Sequence, residues 1–424
     1  MRIQSIPWLV LCLALCSQEG SAQDVKPPLA LPPSPPACQP DAAPCVAPGP
    51  EVDGGCCDGW GLGRSCPYPP GRVWADAEYL LWWTKGSPLP PLLTTSPPGT
   101  PIDTAGLLGA NGTTVLFGNE RVNTDARSGG RFTAGAWLNE GHTTGIEASF
   151  FFLGDETSHF TAVSDGSVIL ARPFIDFNPT SPFFGQGNTV LIAFPGLVRG
   201  SFEATTTSEL RGAEVYLRQA LCCGCCCRLD ALVGYRYLRL REGLHISETE
   251  IATGADNPLA GIPFLVNEGF DTTNNFNGGE LGLIGEVQRG RWFLRGRGKL
   301  ALGTTSQTVR IQGTTQVDSA APEAGGILAL PSNSGDHHSS HFSVVPEVGA
   351  DLGFVVTPNV RVFTGYTFLY WTHVARPGDQ IDLRINTTQP PLGNGLVGPA
   401  VPAFNLKESN FWAQGLNFGL EIRF

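Results

Sequence analysis

The chain is 424 residues long, room for one large barrel or for two to three ordinary domains. Charged residues make up 15%, against roughly 25% in soluble domains, while apolar residues hold an ordinary 42%; Gly, Ser, Thr and Asn fill the gap. The net charge of −11 argues against a nucleic-acid partner, because no basic patch is available to neutralise phosphates.

The N-terminus has the layout of an export signal over residues 1–22. Arg2 supplies a thin positive region, Trp8, Leu9, Val10, Leu11, Leu13 and Leu15 a short apolar core, and Gly20-Ser21-Ala22 the small residues a cleavage site needs. That core is too short for a membrane anchor. Lipidation at Cys16 is disfavoured by the bulky Leu15 before it. Residues 23–71 are Pro-rich, as in Pro32-Pro33-Ser34-Pro35-Pro36, and read as an extended linker without a core. No later run of about 18 apolar residues exists, so a membrane span would require a closed barrel.

From Arg72 the texture changes to period-2 alternation. Val73, Ala75, Ala77, Tyr79, Leu81 and Trp83 alternate with Trp74, Asp76, Glu78, Leu80 and Trp82. The same grammar predicts strands at about 130–139, 143–153, up to 218, 228–240, 280–287, 292–302, 344–354 and 360–370. Pro346 falls inside one of them, which predicts a bulge or a rim position. In the last strand Trp412, Leu416, Phe418, Leu420, Ile422 and Phe424 alternate with Ala413, Asn417, Gly419, Glu421 and Arg423. This amphipathic strand ending in Phe424 resembles the terminal signal that barrel-insertion machinery reads. Trp412, Phe418, Leu420, Ile422 and Phe424 would carry it.

Glu140-Gly141-His142, the Cys222–Cys227 run, Gln288-Arg289-Gly290 and Thr357-Pro358-Asn359 mark short turns. The other connections are long, about 35–45 residues each, unusual for a compact soluble domain. Short turns at one end and long loops at the other predict an all-β, antiparallel up-and-down transmembrane barrel over 72–424. Ten strands satisfy the pattern, and twelve remain open if Phe160–Leu170 and Thr305–Thr315 add spans. The aromatics Trp82, Trp83, Trp292, Tyr370 and Trp371, near strand ends, fit interfacial girdles. A soluble sandwich would show the same alternation turned inside out.

Chemistry is expected on the polar strand faces. Glu280, Glu286, Arg295, Arg297, Lys299, Glu347, Asp351 and Arg361 are the candidate lumen-lining residues. The basic strip Arg295–Arg297–Lys299 needs carboxylates opposite, and Glu280 and Glu286 are the natural partners. Ten strands lie near the size whose interior side chains fill. A closed network would therefore make a structural barrel displaying its loops, and an aligned single-sign strip would make a narrow path for small polar solutes. Cys222-Cys223-Gly224-Cys225-Cys226-Cys227 has no zinc spacing; disulfides with Cys56, Cys57 or Cys66 of the linker are the expectation, and a soft-metal site the alternative. His337, His338 and His341 read as a solvated loop, and His159, His245 and His373 as rim residues with no legible Asp partner. No nucleophile elbow or phosphate loop is present, so neither an enzyme nor a cofactor is expected.

Several segments together resemble the planctomycete putative β-barrel porin family. They are Trp74-Ala75-Asp76-Ala77-Glu78-Tyr79-Leu80-Leu81-Trp82-Trp83 with Pro88-Leu89-Pro90, then Ser128-Gly129-Gly130-Arg131-Phe132, Gly145-Ile146-Glu147 leading into Phe150-Phe151-Phe152, and Leu232-Val233-Gly234-Tyr235-Arg236-Tyr237-Leu238. The resemblance covers about 72–424. It implies a barrel in a bacterial outer membrane, with outer-membrane lipid and the insertion machinery as partners, and brings no substrate.

Overall fold

A computed structural model of the chain describes residues 71–223, 227–254 and 257–424. The expected signal 1–22, the linker as far as residue 70, and Cys56, Cys57, Cys66, Cys225 and Cys226 lie outside these described residues. Ten antiparallel strands form one ring. They are β1 (Val73–Thr84), β2 (Arg127–Trp137), β3 (Thr144–Ser164), β4 (Val198–Cys223), β5 (Cys227–Ala252), β6 (Pro263–Arg289), β7 (Trp292–Val317), β8 (Gly335–Thr357), β9 (Val360–Ala375) and β10 (Glu408–Arg423). Each pairs with its neighbours in sequence, and β1 closes on β10 in the register Trp74↔Arg423 to Thr84↔Ala413. Closure gives each strand of the ring a neighbour on both sides, which is the condition for crossing lipid as β-structure.

The twelve-strand alternative is resolved against. Phe160 lies within β3 and Thr305–Thr315 within β7, as prolongations of strands already counted. The stretch between 240 and 280, expected as a long connection, is also mostly strand, since only 253–262 separate β5 from β6. The alternation that reveals a strand fades there for a physical reason. In Arg241-Glu242-Gly243-Leu244-His245-Ile246-Ser247-Glu248 the outward face is polar and the inward face mixes carboxylates with Leu and Ile. His337, His338 and His341 belong to β8 and not to a loop, for the same reason. Pro346 causes no register shift. It pairs opposite Leu300 and stands one residue before the β8–β9 ladder begins at Glu347, so its missing N–H interrupts nothing on that side.

Side-chain orientation decides between membrane barrel and soluble sandwich. Leu281 is 61% exposed, Trp292 58%, Phe132 54% and Val233 53%, all on the outer face. Their partners in alternation, among them Glu280, Arg236 and Glu347, are buried inside. A wall apolar outside and ionic inside suits lipid and not water. Trp292 and Phe354, with rings 5.1 Å apart, stand at the turn end, and Trp83, Tyr370 and Trp412 at the loop end. Trp82 and Trp371 leave the expected girdle: both are fully buried in the lumen. Adjacent residues of a strand face opposite ways, so one member of each aromatic pair must point inward. Trp412, Phe418, Leu420, Ile422 and Phe424 share the outer face of the final strand region.

Beyond the lipid-facing band the long strands β4–β8 continue as a taller wall, and the loops fold into its mouth. Short strands Leu93–Thr95, Thr114–Phe117, Leu170–Asp176, Gly187–Ala193 and Arg384–Ile385 make a second sheet. Leu93, Phe117, Leu170, Phe174 and Ile327–Leu330 pack there against Leu244, Ile246, Phe270, Val309 and Ile311 of the wall. The connections are therefore a packed cap with its own core.

Candidate functional site

The lumen is built in layers, beginning at the turn end. Glu286 and Arg295 are directly opposite in the β6–β7 register, and Arg295 Nε donates to Glu286 at 3.0 Å. Glu286 also accepts from Arg361 at 2.9 Å, and Glu421 gathers Arg295, Arg361 and Arg423. Across the lumen Asp230 takes Arg218 at 2.6 Å and Arg228 at 2.8 Å. Arg218 continues to Glu147 at 3.0 Å, which also accepts the Trp74 indole N–H. Of these groups Trp74, Glu147, Arg218, Arg228, Arg295, Glu421 and Arg423 line a polar chamber of about 60 Å³, enough for a few waters at roughly 10–15 Å³ each.

One layer deeper, Arg236 is fully buried and joins three carboxylates. It donates to Glu214 and, at 2.7 Å, to Glu347, while Glu280 lies 3.0 Å away without hydrogen-bond alignment. Lys299 Nζ donates to Glu214 at 2.6 Å and to the Tyr216 hydroxyl at 2.7 Å. Arg297 meets Asp351 at 3.2 Å and Thr367 at 3.0 Å. The structure thus brings all eight predicted lumen residues inside. Glu286 partners the basic strip as expected; Glu280 instead turns to Arg236 on β5. Glu421 and Arg218 tie the clusters together, and their ends of the network become apparent only once β10 closes on β1. The strip is not a single-sign path, because each cation is met by a carboxylate.

Above the ionic layers lies a disc of apolar side chains pointing inward. Trp82, Phe151, Leu238, Phe276, Leu369, Trp371 and Phe411 are each 0–1% exposed. The two indoles are pinned by hydrogen bonds, Trp82 to Asn417 at 2.8 Å and Trp371 to Thr305 at 2.9 Å. Gly212 makes room for the disc: a Cβ there would stand 2.1 Å from the Phe151 ring. The sequence carries a trace of this layer in the apolar residues that intrude on polar faces, such as Leu80, Leu238 and Leu240.

The cap is bolted to the wall by ions. Arg172 bridges Glu248 of β5 and Glu268 of β6. Glu268 Oε1 also accepts the backbone N–H groups of Ile327, Leu328 and Ala329, holding the β7–β8 loop in the mouth. Arg376 grips Glu242 with two nitrogens, and Asn274 exchanges two hydrogen bonds with the Ala375 backbone. These groups stand outside the lipid-facing band, since the outward residues of β5 turn polar from Arg239 on. Burial pushes the Glu248 carboxyl up to about 8 against the pull of Arg172, and that of Glu250 up to about 7.

The family model described as "Putative beta barrel porin-7" matches residues 74–424. The chain belongs to that family. No curated protein matches it. Among solved structures it is similar to the outer membrane protease OmpT from Escherichia coli at 12% identity, with 84% of this chain and 97% of that one covered and a TM-score of 0.42. It is also similar to the P. putida toluene transporter TodX, at 9% identity, 86% and 93% coverage and a TM-score of 0.19. A Pseudomonas aeruginosa FadL homologue matches at 8% identity, 82% and 89% coverage and a TM-score of 0.20.

On this beta barrel porin-7 wall the rim histidines have settled partners. His245 does meet an aspartate: its Nε2 lies 3.2 Å from Asp271, which the register places diagonally across β5 and β6. Hydrogen bonding to Asp271 raises the His245 pKa. His159 bonds Thr205, His338 bonds Thr308, and His337 stacks on Phe404 at 3.7 Å. His341 bonds Ser339, and His373 occupies the left-handed region, φ 56°, where the β9–β10 register shifts. Among the described residues no three His, Cys, Asp or Glu are grouped to hold a metal. At the β4–β5 turn Cys222 is an exposed free thiol and Cys223 is disulfide-bonded.

Proposed function

We propose that this porin-family barrel is sealed in its ground state and serves as a membrane-embedded scaffold that holds a packed loop cap outside the bilayer. The observation that carries the reading is the apolar disc, whose members are 0–1% exposed across the lumen. An ion reaching it from the turn-end chamber would lose its water to hydrocarbon side chains, at a cost of many kcal/mol. The family supports a bacterial outer-membrane location and points away from an enzyme. With turns and both ends of 72–424 at one side, the cap would face outward and the turns the periplasm.

The second reading, a narrow path for small polar solutes, is favoured by the family description and by the ionic chamber below the disc. It requires the disc to part. Single-channel recording of the refolded chain in a planar bilayer separates the two. A folded barrel that stays silent supports the sealed scaffold. Discrete, reproducible conductance steps at low voltage sink it and favour the pore.

A further inference from the structure

Three arginines stand together on the outer wall where the lipid-facing band ends. Along β4 the outward residues run Leu217, Val215, Ala213 and then Arg211; along β5 they run Val233, Tyr235, Tyr237 and then Arg239 and Arg241. Arg211 and Arg239 are directly opposite in the register, and Arg241 is opposite Glu209. Side chains so paired have Cβ atoms about 5 Å apart, and like charges in that relation destabilise a bare sheet. Glu209 answers only one of the three, lying 2.6 Å from Arg211. Among the described residues neither Arg239 nor Arg241 has an ion-pair partner, and Arg239 Nε is buried without a hydrogen bond.

Height identifies what the cluster meets. Arg239 is two residues past Tyr237, about 7 Å along a strand at roughly 3.4 Å per residue. The headgroup layer extends about 5–8 Å beyond the hydrocarbon on each side of a bilayer. Tyr235 and Tyr237, bonded to Asn277 and Asn275 at 2.6 and 3.0 Å, mark the boundary itself. The guanidinium groups of Arg239 and of Arg211 opposite it therefore lie in the plane of lipid headgroups, each offering a planar fork that matches a phosphate, and Arg241, about 14 Å past Tyr237 along the tilted strand, stands just above them.

We propose that Arg211, Arg239 and Arg241 form a binding site for the phosphate of a membrane lipid headgroup in the leaflet at the loop end. The proposal rests on the barrel spanning a bilayer, and not on whether the lumen conducts.

Native mass spectrometry of the refolded full chain tests it, with dioleoyl phosphatidic acid as the probe and dioleoyl phosphatidylcholine as the comparison lipid in nonionic detergent. The wild type is expected to retain the phosphatidic acid roughly tenfold more, a difference of about 1.4 kcal/mol, and R239Q/R241Q to lose that preference. R239K/R241K, which keeps the charge and loses the fork, should fall between. R310Q, an outward arginine higher on the wall, should behave as wild type. All variants are first checked for the heat-modifiable migration of a folded barrel. Unchanged preference in R239Q/R241Q, or equal retention of both lipids by the wild type, overturns the site. Displacement of the lipid by an equal concentration of inorganic phosphate would make it a free-anion site and overturn the lipid assignment.

Discussion

Arg236 is wholly buried and touches Glu214, Glu280 and Glu347, so the inner ionic layer hangs on one guanidinium. Arg236→Leu should leave those carboxylates facing one another with Lys299 alone and cost about 3–5 kcal/mol, the range for breaking a buried pair from one side. Urea unfolding in lipid vesicles, followed by tryptophan fluorescence, measures it; a loss under about 1 kcal/mol would mean that the layer rearranges around Lys299. His245 and Asp271 form the contrasting case, partly exposed and outside the band. The raised His245 pKa means that the pair's stabilisation is present below the ordinary histidine range and disappears as pH rises through the raised value. In Asp271→Asn the imidazole should titrate at lower pH by NMR, with little change in overall stability because the pair is solvated.

At the scale of elements, one carboxylate oxygen of β6 ties down the tip of the β7–β8 loop through three backbone N–H groups. Glu268→Ala should release 325–334 from the mouth, seen as faster amide hydrogen exchange there and little change in β1, β9 and β10. Equal exchange in variant and wild type would mean that Ile327–Leu330 are kept in place by apolar packing alone. The same latch carries a pH dependence. Glu248 and Glu250 titrate at about 8 and about 7 when folded, above their unfolded values. The folded cap therefore binds more protons than the unfolded chain between roughly pH 4.5 and 8, and its stability falls as pH rises through that window. Protection of the cap amides, taken relative to their base-catalysed intrinsic exchange, should be lower at pH 9 than at pH 6, and Glu248→Gln should flatten the difference.

For the whole molecule, the sealed reading makes one sharp demand. Trp82, Phe276 and Trp371 fill the disc, so replacing all three by Ala should open a route between the turn-end chamber and the cap. The triple variant should conduct where the wild type is silent, or conduct more if the wild type flickers. Each Trp or Phe truncation in a core costs about 3–5 kcal/mol, so the variant must first be shown to keep its folded migration. A folded triple variant without current would place the barrier in the cap instead.

Much of this architecture was legible in the sequence because a barrel wall is a local code: each residue's face follows from its place in the alternation, as in Tyr79 against Glu78 or Phe418 against Asn417. The eight expected lumen residues were found that way, and so was the amphipathic strand that closes the ring on β1. What the alternation could not carry were relations across the ring. That Glu280 turns to Arg236, that Asp271 lies diagonal to His245, and that Trp82 and Trp371 point inward against Phe151 and Phe276 follow from register and closure. Above the band, where outward residues are polar, the local code loses its contrast, and strands in β5–β8 looked like loop. The sequence by itself determined that there is a wall with one apolar and one ionic face, because period and polarity are local. Only the tertiary structure decided that the apolar face looks outward, that the ions cancel, and that an apolar layer lies across the lumen, because each depends on which strands meet.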